Sequence, residues 1–258
     1  MKILITGGNG YIARSLYTAL HTKYDITVIT RQDFDLTCSA ATHEFFKDKS
    51  FDVVIHTAVS GGSRLKEDSE SVAMNNLMMY RNLLNHQDKF TKFISFGSGA
   101  ELGNPTTPYG VSKQAIARHM LTMPNFLNLR IFAVFDENEL DTRFIKSNVL
   151  RYINREDMVV HEDKYMDFFY MPDLITLVDH FIPKEEWSFQ DIDCIYLEKQ
   201  KLTDIAGMIN SLNNYKVNMY IEKPDLGESY TGLWRGLPIE LIGLENGIKK
   251  VYEILRKQ

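Results

Sequence analysis

The chain has 258 residues, of which 44% are hydrophobic and 24% charged, enough to bury a large core in one domain or in a domain with a smaller appendage. Its formal net charge of -5 and its scattered lysines and arginines exclude a general attraction to nucleic acid or to an anionic membrane, so a small-molecule ligand is expected. Two distant cysteines, Cys38 and Cys194, fit neither a disulfide framework nor a zinc site, and no metal is expected.

Short β-branched or aromatic runs alternate with longer helical stretches along the first half of the chain. The predicted strands cover residues 2–6, 26–30, 52–58, 92–98 and 128–135, and the predicted helices cover 11–22, 39–48, 71–87 and 112–123. Repeated strand, helix and strand imply parallel strands with right-handed crossovers, and apolar strands imply cover on both faces. We therefore predict an α/β fold of Rossmann type, with a doubly wound parallel sheet.

A glycine cluster lies between the first predicted strand and the first predicted helix. In ILITGGNGYIA, Gly7, Gly10 and Ala13 stand where a tight turn lets backbone N–H groups approach a pyrophosphate at the positive end of a helix. A glycine turn without a ligand is the weaker alternative, because the flanking strand and helix are those of a dinucleotide loop. We assign to the cofactor Gly7, Asn9, Gly10, Tyr11 and Ile12.

The end of the second predicted strand determines which dinucleotide is expected. A carboxylate there suits the ribose 2′-hydroxyl of NAD, whereas an arginine suits the 2′-phosphate of NADP. VITRQDFD offers Thr30 and Arg31, so we predict NADP(H), with Asp35 and Leu36 also assigned to the cofactor. In the alternative, Arg31 is solvated and Asp33 or Asp35 binds the ribose, which leaves NAD(H) open.

Tyr109 and Lys113, in TPYGVSK, are four residues apart. On a helix this spacing stacks the phenol and the ammonium one turn apart on the same face, where the lysine favours the phenolate. The plainer interpretation is a turn tyrosine after Pro108 and an ordinary surface lysine. Together with the glycine loop, we interpret the pair as a proton-transfer device.

The alternation weakens after about residue 137. Residues 141–154 indicate a helix, residues 157–182 a strand, a turn and a helix that starts near Pro172, and residues 241–258 an amphipathic helix. We predict a dinucleotide-binding domain over residues 1–136 and a smaller substrate-binding α/β part over residues 137–258. The N-terminus enters a strand directly and no stretch reaches the apolar length of a membrane span, which favours a cytoplasmic protein without a membrane partner.

Five segments, TGGNGYIA, DVVIHTA, YGVSK, LRIFAVF and DFFYMPDLITLV, resemble in order the extended short-chain dehydrogenase/reductases, the superfamily of NAD-dependent nucleotide-sugar epimerases, dehydratases and reductases. The resemblance implies a catalytic set of Ser98, Tyr109 and Lys113. In it Tyr109 exchanges a proton with the substrate oxygen, Ser98 hydrogen-bonds that oxygen, and Lys113 stabilises the phenolate and holds the nicotinamide ribose. It also places along the cofactor or near the active site Thr57, Ala58, Val59 and Asn76.

Three positions point to one branch of this superfamily. Dehydratases carry an Asp-Glu pair directly after the catalytic hydroxyl, but here Gly99 and Ala100 stand there, and Glu101 is one position late. Residues 31–62 are similar to GDP-fucose synthase-like 4-keto reductases, whose epimerising cysteine is replaced by Ala100. The resemblance therefore implies an NADPH-dependent reductase of a 4-keto-6-deoxy nucleotide sugar.

The resemblance also bears on the substrate side and on the partners. Met166 stands where the family has an arginine that grips the nucleotide diphosphate, so Lys146 and Lys164 are the candidate replacements, with Ser98 and Gly99 at the sugar. A C4 epimerase with tightly bound NAD, or a catalytically silent NADP-binding regulatory protein, remains an alternative. The family often dimerises through two helices per subunit, and the apolar helices near residues 71–84 and 112–123 favour a homodimer here.

Overall fold

The structure, a computed structural model, describes residues 1–63, 66–187, 189–223 and 225–258. Its strands are Lys2–Thr6 (β1), Asp25–Ile29 (β2), Phe51–His56 (β3), Phe90–Ser98 (β4), Phe126–Ile131 (β5), Val134–Phe135 (β6), Met158–Glu162 (β7), Phe169–Tyr170 (β8), Asp191–Cys194 (β9) and Met219–Lys223 (β10). Its α-helices are Tyr11–Leu20 (α1), Ser39–Phe46 (α2), Ser71–Leu84 (α3), Pro108–Met120 (α4), Phe144–Ile153 (α5), Met171–Phe181 (α6), Leu202–Asn210 (α7) and Leu244–Leu255 (α8).

Six strands form a central sheet in the order β2-β1-β3-β4-β5-β9. β1 pairs in parallel with both β2 and β3, and β3 pairs in parallel with β4. The chain therefore moves outward from β1 in both directions, and the carboxyl ends of β1 and β3 flank the point where the strand order reverses. In open α/β sheets ligands bind in the crevice at this point. The predicted Rossmann-type α/β fold is confirmed.

The chain divides into two compact units. Unit 1 comprises residues 1–130 and 178–192, and unit 2 comprises residues 131–177 and 193–258. The core of unit 1 is built on the central strands, where Leu4, Val54 and Phe93 are fully buried, as expected for strands covered on both faces. Unit 2 has its own core, in which α5, α7 and α8 contribute buried side chains. The assignment of substrate binding to residues 137–258 stays a prediction.

The structure differs from the sequence prediction at two places that bear on the site. The apolar run 128–135, predicted as one strand, is broken after Ile131, and its end forms β6, which pairs with β8 in a separate two-stranded sheet. An apolar run does not encode where the chain leaves a sheet, because both sheets bury such residues. The helix predicted from residue 112 begins at Pro108, so it contains Tyr109 in its first turn.

Among the helices of the described ranges, none combines the length and the hydropathy that a membrane span requires.

Candidate cofactor and catalytic site

The loop between β1 and α1 passes directly against the neighbouring strands. Gly7 has a φ of +70°, and a Cβ built there would lie 2.7 Å from the backbone of Ala58. Gly8 donates its N–H to the carbonyl of Ile29 at 2.9 Å, and a Cβ at Gly8 would collide with Val28 at 2.2 Å. Gly10 then caps α1. Glycine is therefore required here by backbone geometry and by close packing, as in a loop that brings N–H groups to a phosphate.

A cavity of about 340 Å³ opens above this loop within unit 1. It brings together these residues assigned from the sequence: Gly7, Asn9, Gly10, Arg31, Asp35, Leu36, Thr57, Ala58 and Val59. Five others assigned to the cofactor, Tyr11, Ile12, Asn76, Tyr109 and Lys113, do not line it. Its volume and its position at the reversal of strand order fit a dinucleotide lying across the carboxyl ends of β1 and β3.

The cavity also has walls that were not assigned from the sequence, formed by Ile29, Thr30, Phe34 and Met79. Phe34 packs against Phe45 with ring centroids 5.1 Å apart, which holds an aromatic ring at the cavity beside Arg31. The sequence contained a signal for this wall, because Phe34 is the aromatic residue of the loop directly after β2, between Asp33 and Asp35.

The two acidic residues near Arg31 are both engaged by local groups. Asp33 accepts hydrogen bonds from the N–H and the hydroxyl of Thr30, at 2.7 and 2.9 Å, and these bonds hold the pKa of its carboxyl below the usual range. Asp35 accepts two bonds from Thr37, both at 2.9 Å, which lower its pKa in the same way, with a smaller effect of Arg31. Arg31 is exposed and lines the cavity, so the chain presents a cation there, directly after β2.

The ends of β1 and β3 are tied together by hydroxyl groups and His56. The Thr57 hydroxyl donates to the Thr6 carbonyl at 2.6 Å, and the Thr6 Oγ1 accepts from the Ala58 N–H at 3.2 Å. His56 Nδ1 lies 2.8 Å from the same Thr6 Oγ1. Burial, with a smaller effect of the Lys113 charge, lowers the pKa of His56 to about 3, so this histidine is neutral and acts as a structural support for the cavity wall.

Tyr109 and Lys113 lie one turn apart in the first part of α4. Pro108 occupies the first turn, and Thr107 caps the helix by accepting the Gly110 N–H at 3.1 Å. The Lys113 ammonium lies 5.8 Å from the Tyr109 ring centroid and donates to the Phe96 carbonyl of β4 at 2.5 Å. Burial lowers the pKa of Lys113 to about 8, while the negative charge of Glu101 acts in the opposite direction.

The position of Tyr109 is fixed from two sides. A Cβ built on Gly62, which has a φ of +75°, would lie 2.8 Å from the Tyr109 ring, so the glycine backbone packs on that ring. Asn76 binds both the N–H and the carbonyl of Ser60, at 2.7 and 3.0 Å, and donates to the Ser112 hydroxyl at 3.0 Å. Ser112 in turn donates to the Tyr109 carbonyl at 2.8 Å. Asn76 therefore links the loop after β3 to the helix that carries Tyr109.

Ser98 ends β4 and begins a short 3-10 helix, Gly99–Glu101. Its hydroxyl accepts the Ala100 N–H at 3.2 Å, and its own N–H donates to Glu101 at 3.0 Å. Glu101, whose side chain is 2% exposed, also pairs with Arg130 at 2.7 Å. This buried carboxylate was not assigned to the site, although a charged Arg130 in an apolar strand signals that a buried anion is needed.

The candidate substrate lysines lie in unit 2 and are paired with carboxylates there. The Lys146 ammonium is 2.9 Å from Asp141 and donates to the Glu139 carbonyl at 2.9 Å. Lys164 lies 3.5 Å from Glu162. Met166 is 3% exposed and belongs to the core of unit 2. Binding of a diphosphate by Lys146 or Lys164 therefore stays a prediction.

Within the described part of the chain, no group of three or more His, Cys, Asp or Glu residues is arranged to hold a metal ion.

Comparison with known proteins gives one family match. Residues 3–192 match the family model of the NAD dependent epimerase/dehydratase family. No curated protein sequence matches the chain.

Several solved structures are similar to the whole chain. A GDP-D-glycero-L-gluco-heptose synthase from Campylobacter jejuni, solved with NADPH, has a TM-score of 0.80 at 17% identity, with 100% of this chain and 98% of that chain covered. A GDP-mannoheptose C4 reductase from the same organism, with NADP bound, gives 0.78 at 17% identity, with coverage of 99% and 98%. A UDP-glucuronic acid 4-epimerase from Bacillus cereus, with its substrate and NAD, gives 0.77 at 19% identity, with coverage of 100% and 99%. These likenesses show a shared fold.

Proposed function

Because the chain belongs to the NAD-dependent epimerase/dehydratase family, and is thus an NAD(P)-dependent enzyme of the extended short-chain dehydrogenase/reductase type, we propose that it uses NADPH to reduce a 4-keto-6-deoxy nucleotide sugar. The observation that carries this proposal is the arrangement of Tyr109 and Lys113 on one turn of α4, with the Lys113 ammonium bonded to β4 two residues before Ser98. A phenol, a cation and a hydroxyl of this kind can protonate and polarise a carbonyl oxygen.

Each of the three residues has a separate task in a carbonyl reduction. When bound, NADPH supplies a hydride to the carbonyl carbon. Tyr109 gives its phenolic proton to the carbonyl oxygen, so that the product is an alcohol, and Ser98 donates a hydrogen bond to the same oxygen. Lys113 keeps a positive charge beside the phenol, which stabilises Tyr109 after the proton has left.

The choice of NADPH over NADH rests on Arg31. Arg31 lines the cavity, whereas the carboxylates of Asp33 and Asp35 accept hydrogen bonds from Thr30 and Thr37. A planar guanidinium can bind a 2′-phosphate through two parallel hydrogen bonds. The glycine loop, the cavity and Thr57 to Val59 would hold the rest of the cofactor.

The nucleotide-sugar class is supported by the solved structures with which the chain shares its fold. Two of these are described as enzymes of GDP-linked heptoses and one as an epimerase of a UDP-linked sugar acid. We propose Ser98 and Gly99 as contacts of the sugar and Lys146 and Lys164 as contacts of the diphosphate. Each lysine would have to exchange its present carboxylate partner, Asp141 or Glu162, for the phosphate oxygens.

The test is NADPH oxidation, followed by absorbance, with a panel of GDP-, dTDP-, UDP- and CDP-linked 4-keto-6-deoxy sugars and with NADH in parallel. Consumption of NADPH with one member is expected and would name the nucleotide. Consumption with none of them, by an enzyme that binds NADPH tightly, would contradict the reductase and favour the silent regulatory protein.

A C4 epimerase is the second candidate, and the likeness to the Bacillus cereus epimerase favours it. Such an enzyme would use the same Ser98, Tyr109 and Lys113 but would retain its cofactor through a reversible oxidation. Purified protein that carries tightly bound NAD, and that interconverts a nucleotide sugar without net consumption of cofactor, would establish this alternative.

We further propose that the enzyme is a homodimer. On α3 the residues Met74, Leu77 and Met78 are 60%, 36% and 38% exposed, and on α4 Val111 is 44% exposed. Exposed apolar residues on two helices of the same unit are suited to pack against a second copy. Sedimentation equilibrium should give twice the chain mass. Met74→Asp should shift the protein toward the monomer. Tyr220→Asp, the control, changes an equally exposed residue of unit 2 and should leave the dimer intact.

A further inference from the structure

A buried group of charged side chains in unit 1 contacts the backbone of Ser98. Glu101 accepts from Arg130 Nε at 2.7 Å, and Arg130 Nη2 donates to Asp191 at 2.6 Å. Asn128 donates to both carboxylates, at 2.9 and 2.8 Å. The exposed fractions of the Glu101, Arg130 and Asp191 side chains are 2%, 11% and 19%, so the Glu101 end is the one most withdrawn from water.

The Glu101 end of this group is also the end that faces β4. Its Oε2 accepts the Ser98 N–H at 3.0 Å, while the Lys113 ammonium donates to the carbonyl of Phe96, two residues earlier. Residues two apart on a strand have the same orientation, so these backbone groups point to the same edge of β4. The carboxylate and the ammonium are therefore both bound to backbone groups at one edge of the strand that ends in Ser98.

Burial raises the pKa of the Glu101 carboxyl, whereas Arg130 and the hydrogen bonds from Ser98 and Asn128 lower it. With Glu101 ionised, the charges of the group balance when Lys113 is included. Glu101, Arg130 and Asp191 together carry one excess negative charge, and an unbalanced buried charge is costly. A protonated Lys113 supplies the missing positive charge. Gly97 shows how closely the group is packed, because a Cβ built there would lie 2.7 Å from Glu101 Oε2 and from Asn128.

We propose, on the basis of the function proposed above, that Glu101 is a positioning residue of the reaction: through one carboxylate it fixes the backbone of Ser98 and keeps Lys113 protonated. The other groups that face Lys113 are the neutral His56 of β3, the Tyr109 phenol of α4 and the Phe96 carbonyl of β4. Among these residues Glu101 is the anion that opposes the effect of burial on the Lys113 pKa.

The experiment is an NMR titration of the full-length enzyme labelled with 13C-lysine, in which Lys113→Arg assigns the Lys113 signal. In Glu101→Gln the Lys113 signal should titrate about half a pH unit or more below its wild-type value, because the neighbouring negative charge is gone. Asp191→Asn is the matched control, since it removes a charge from the same Arg130 and Asn128 but leaves Glu101 in place, and should shift Lys113 clearly less. Equal titration in wild type and Glu101→Gln would overturn the proposal.

A second measurement covers the case in which Glu101→Gln does not fold. In wild-type enzyme labelled with 13C-glutamate, the Glu101 carboxyl signal, assigned with Glu101→Asp, should move as Lys113 loses its proton. A carboxyl signal that stays constant through the Lys113 titration would contradict the proposal. Neither titration needs a sugar substrate. If none of the sugars is reduced, that outcome counts against the proposed reaction, whereas the titrations still decide the role of Glu101.

In the active enzyme, the same change has a kinetic signature. The alkaline limb of kcat/KM for Glu101→Gln should lie at lower pH than in wild type, and Glu101→Asp, which keeps the charge, should restore it toward the wild-type position. A merely structural role would lower kcat without moving the limb.

Discussion

At the scale of single residues, the proposed chemistry depends most directly on the hydroxyl of Tyr109. Tyr109→Phe keeps the ring that packs on Gly62 but removes the proton donor. Turnover should fall by about 10²-fold or more, the usual effect of a positioned acid or base, while the dissociation constant of NADPH stays nearly unchanged. Steady-state kinetics and fluorescence titration measure the two effects. Tyr17→Phe, at an exposed tyrosine of α1, is the control, and full activity of Tyr109→Phe would refute the assignment.

The cofactor preference depends on Arg31 in the same direct way. Arg31→Asp should weaken NADPH binding by about 10- to 100-fold, the range expected for charge-assisted hydrogen bonds to a phosphate, with a much smaller effect on NADH. Calorimetric titration with both cofactors measures the difference. Arg14→Gln changes an exposed arginine of α1 that does not line the cavity, and should alter neither affinity. Equal losses for the two cofactors would show that Arg31 does not read the 2′-phosphate.

Residues marked by a short sequence motif could be predicted from the sequence, whereas residues that meet only in the folded chain could not. Tyr109, Lys113 and the glycine loop are marked by short local spacings, which a single strand or helix converts directly into geometry. Glu101 drew attention only because it stands one position after the place where dehydratases carry their Asp-Glu pair. Its partners Arg130 and Asp191 come from distant parts of the chain. Local pattern cannot reveal such a contact, since only the fold brings β5 and β9 together.

At the scale of elements, the start of α4 determines where Tyr109 stands. Thr107 caps the helix and Pro108 follows in its first turn, which moves the start four residues ahead of the prediction. Thr107→Ala should lower the free energy of unfolding by about 1 kcal/mol, because the Gly110 N–H loses its side-chain acceptor. Urea denaturation measures this loss. Thr107→Ser should keep most of the stability. Thr106→Ala, at the exposed residue before the cap, should change the free energy of unfolding little. Equal losses for Thr107→Ala and Thr106→Ala would contradict the capping role.

Among the other elements, those of the first half of the chain were predicted, whereas three elements between residues 182 and 241 were missed. β1, β3, α1 and α3 coincide closely with the predicted runs, whereas β9, α7 and β10 lie in a stretch that received no assignment. β10 explains the difficulty, because four of its five residues are exposed and an unburied strand has no hydrophobic period to detect.

At the scale of the whole molecule, alternation of strands and helices was sufficient to predict the doubly wound sheet but not the division of the chain. Residues 178–192 return to unit 1 after an excursion into unit 2, and the strand order places β9 at the edge beyond β5. Sequence periodicity reports which faces are buried and not which core buries them. A boundary drawn at a single position could therefore not describe a discontinuous unit.

The dependence of global stability on pH should carry the signature of buried His56. Its folded-state pKa is about 3, against about 6.5 in an unfolded chain, so between these values the unfolded state binds one more proton. This group therefore destabilises the protein as the pH falls from about 6.5, by about 1.4 kcal/mol per pH unit, and contributes nothing above that window.

His56→Asn provides the measurement, because an amide oxygen can replace Nδ1 beside the Thr6 hydroxyl but cannot be protonated. Between pH 7 and pH 5, the free energy of unfolding in urea should fall by about 2 kcal/mol more for wild type than for His56→Asn. His21→Asn, at an exposed histidine, should retain the wild-type slope. Identical slopes for wild type and His56→Asn would mean that His56 takes up its proton over the same pH range in the folded and the unfolded chain, so that it is not held neutral as the link between β1 and β3.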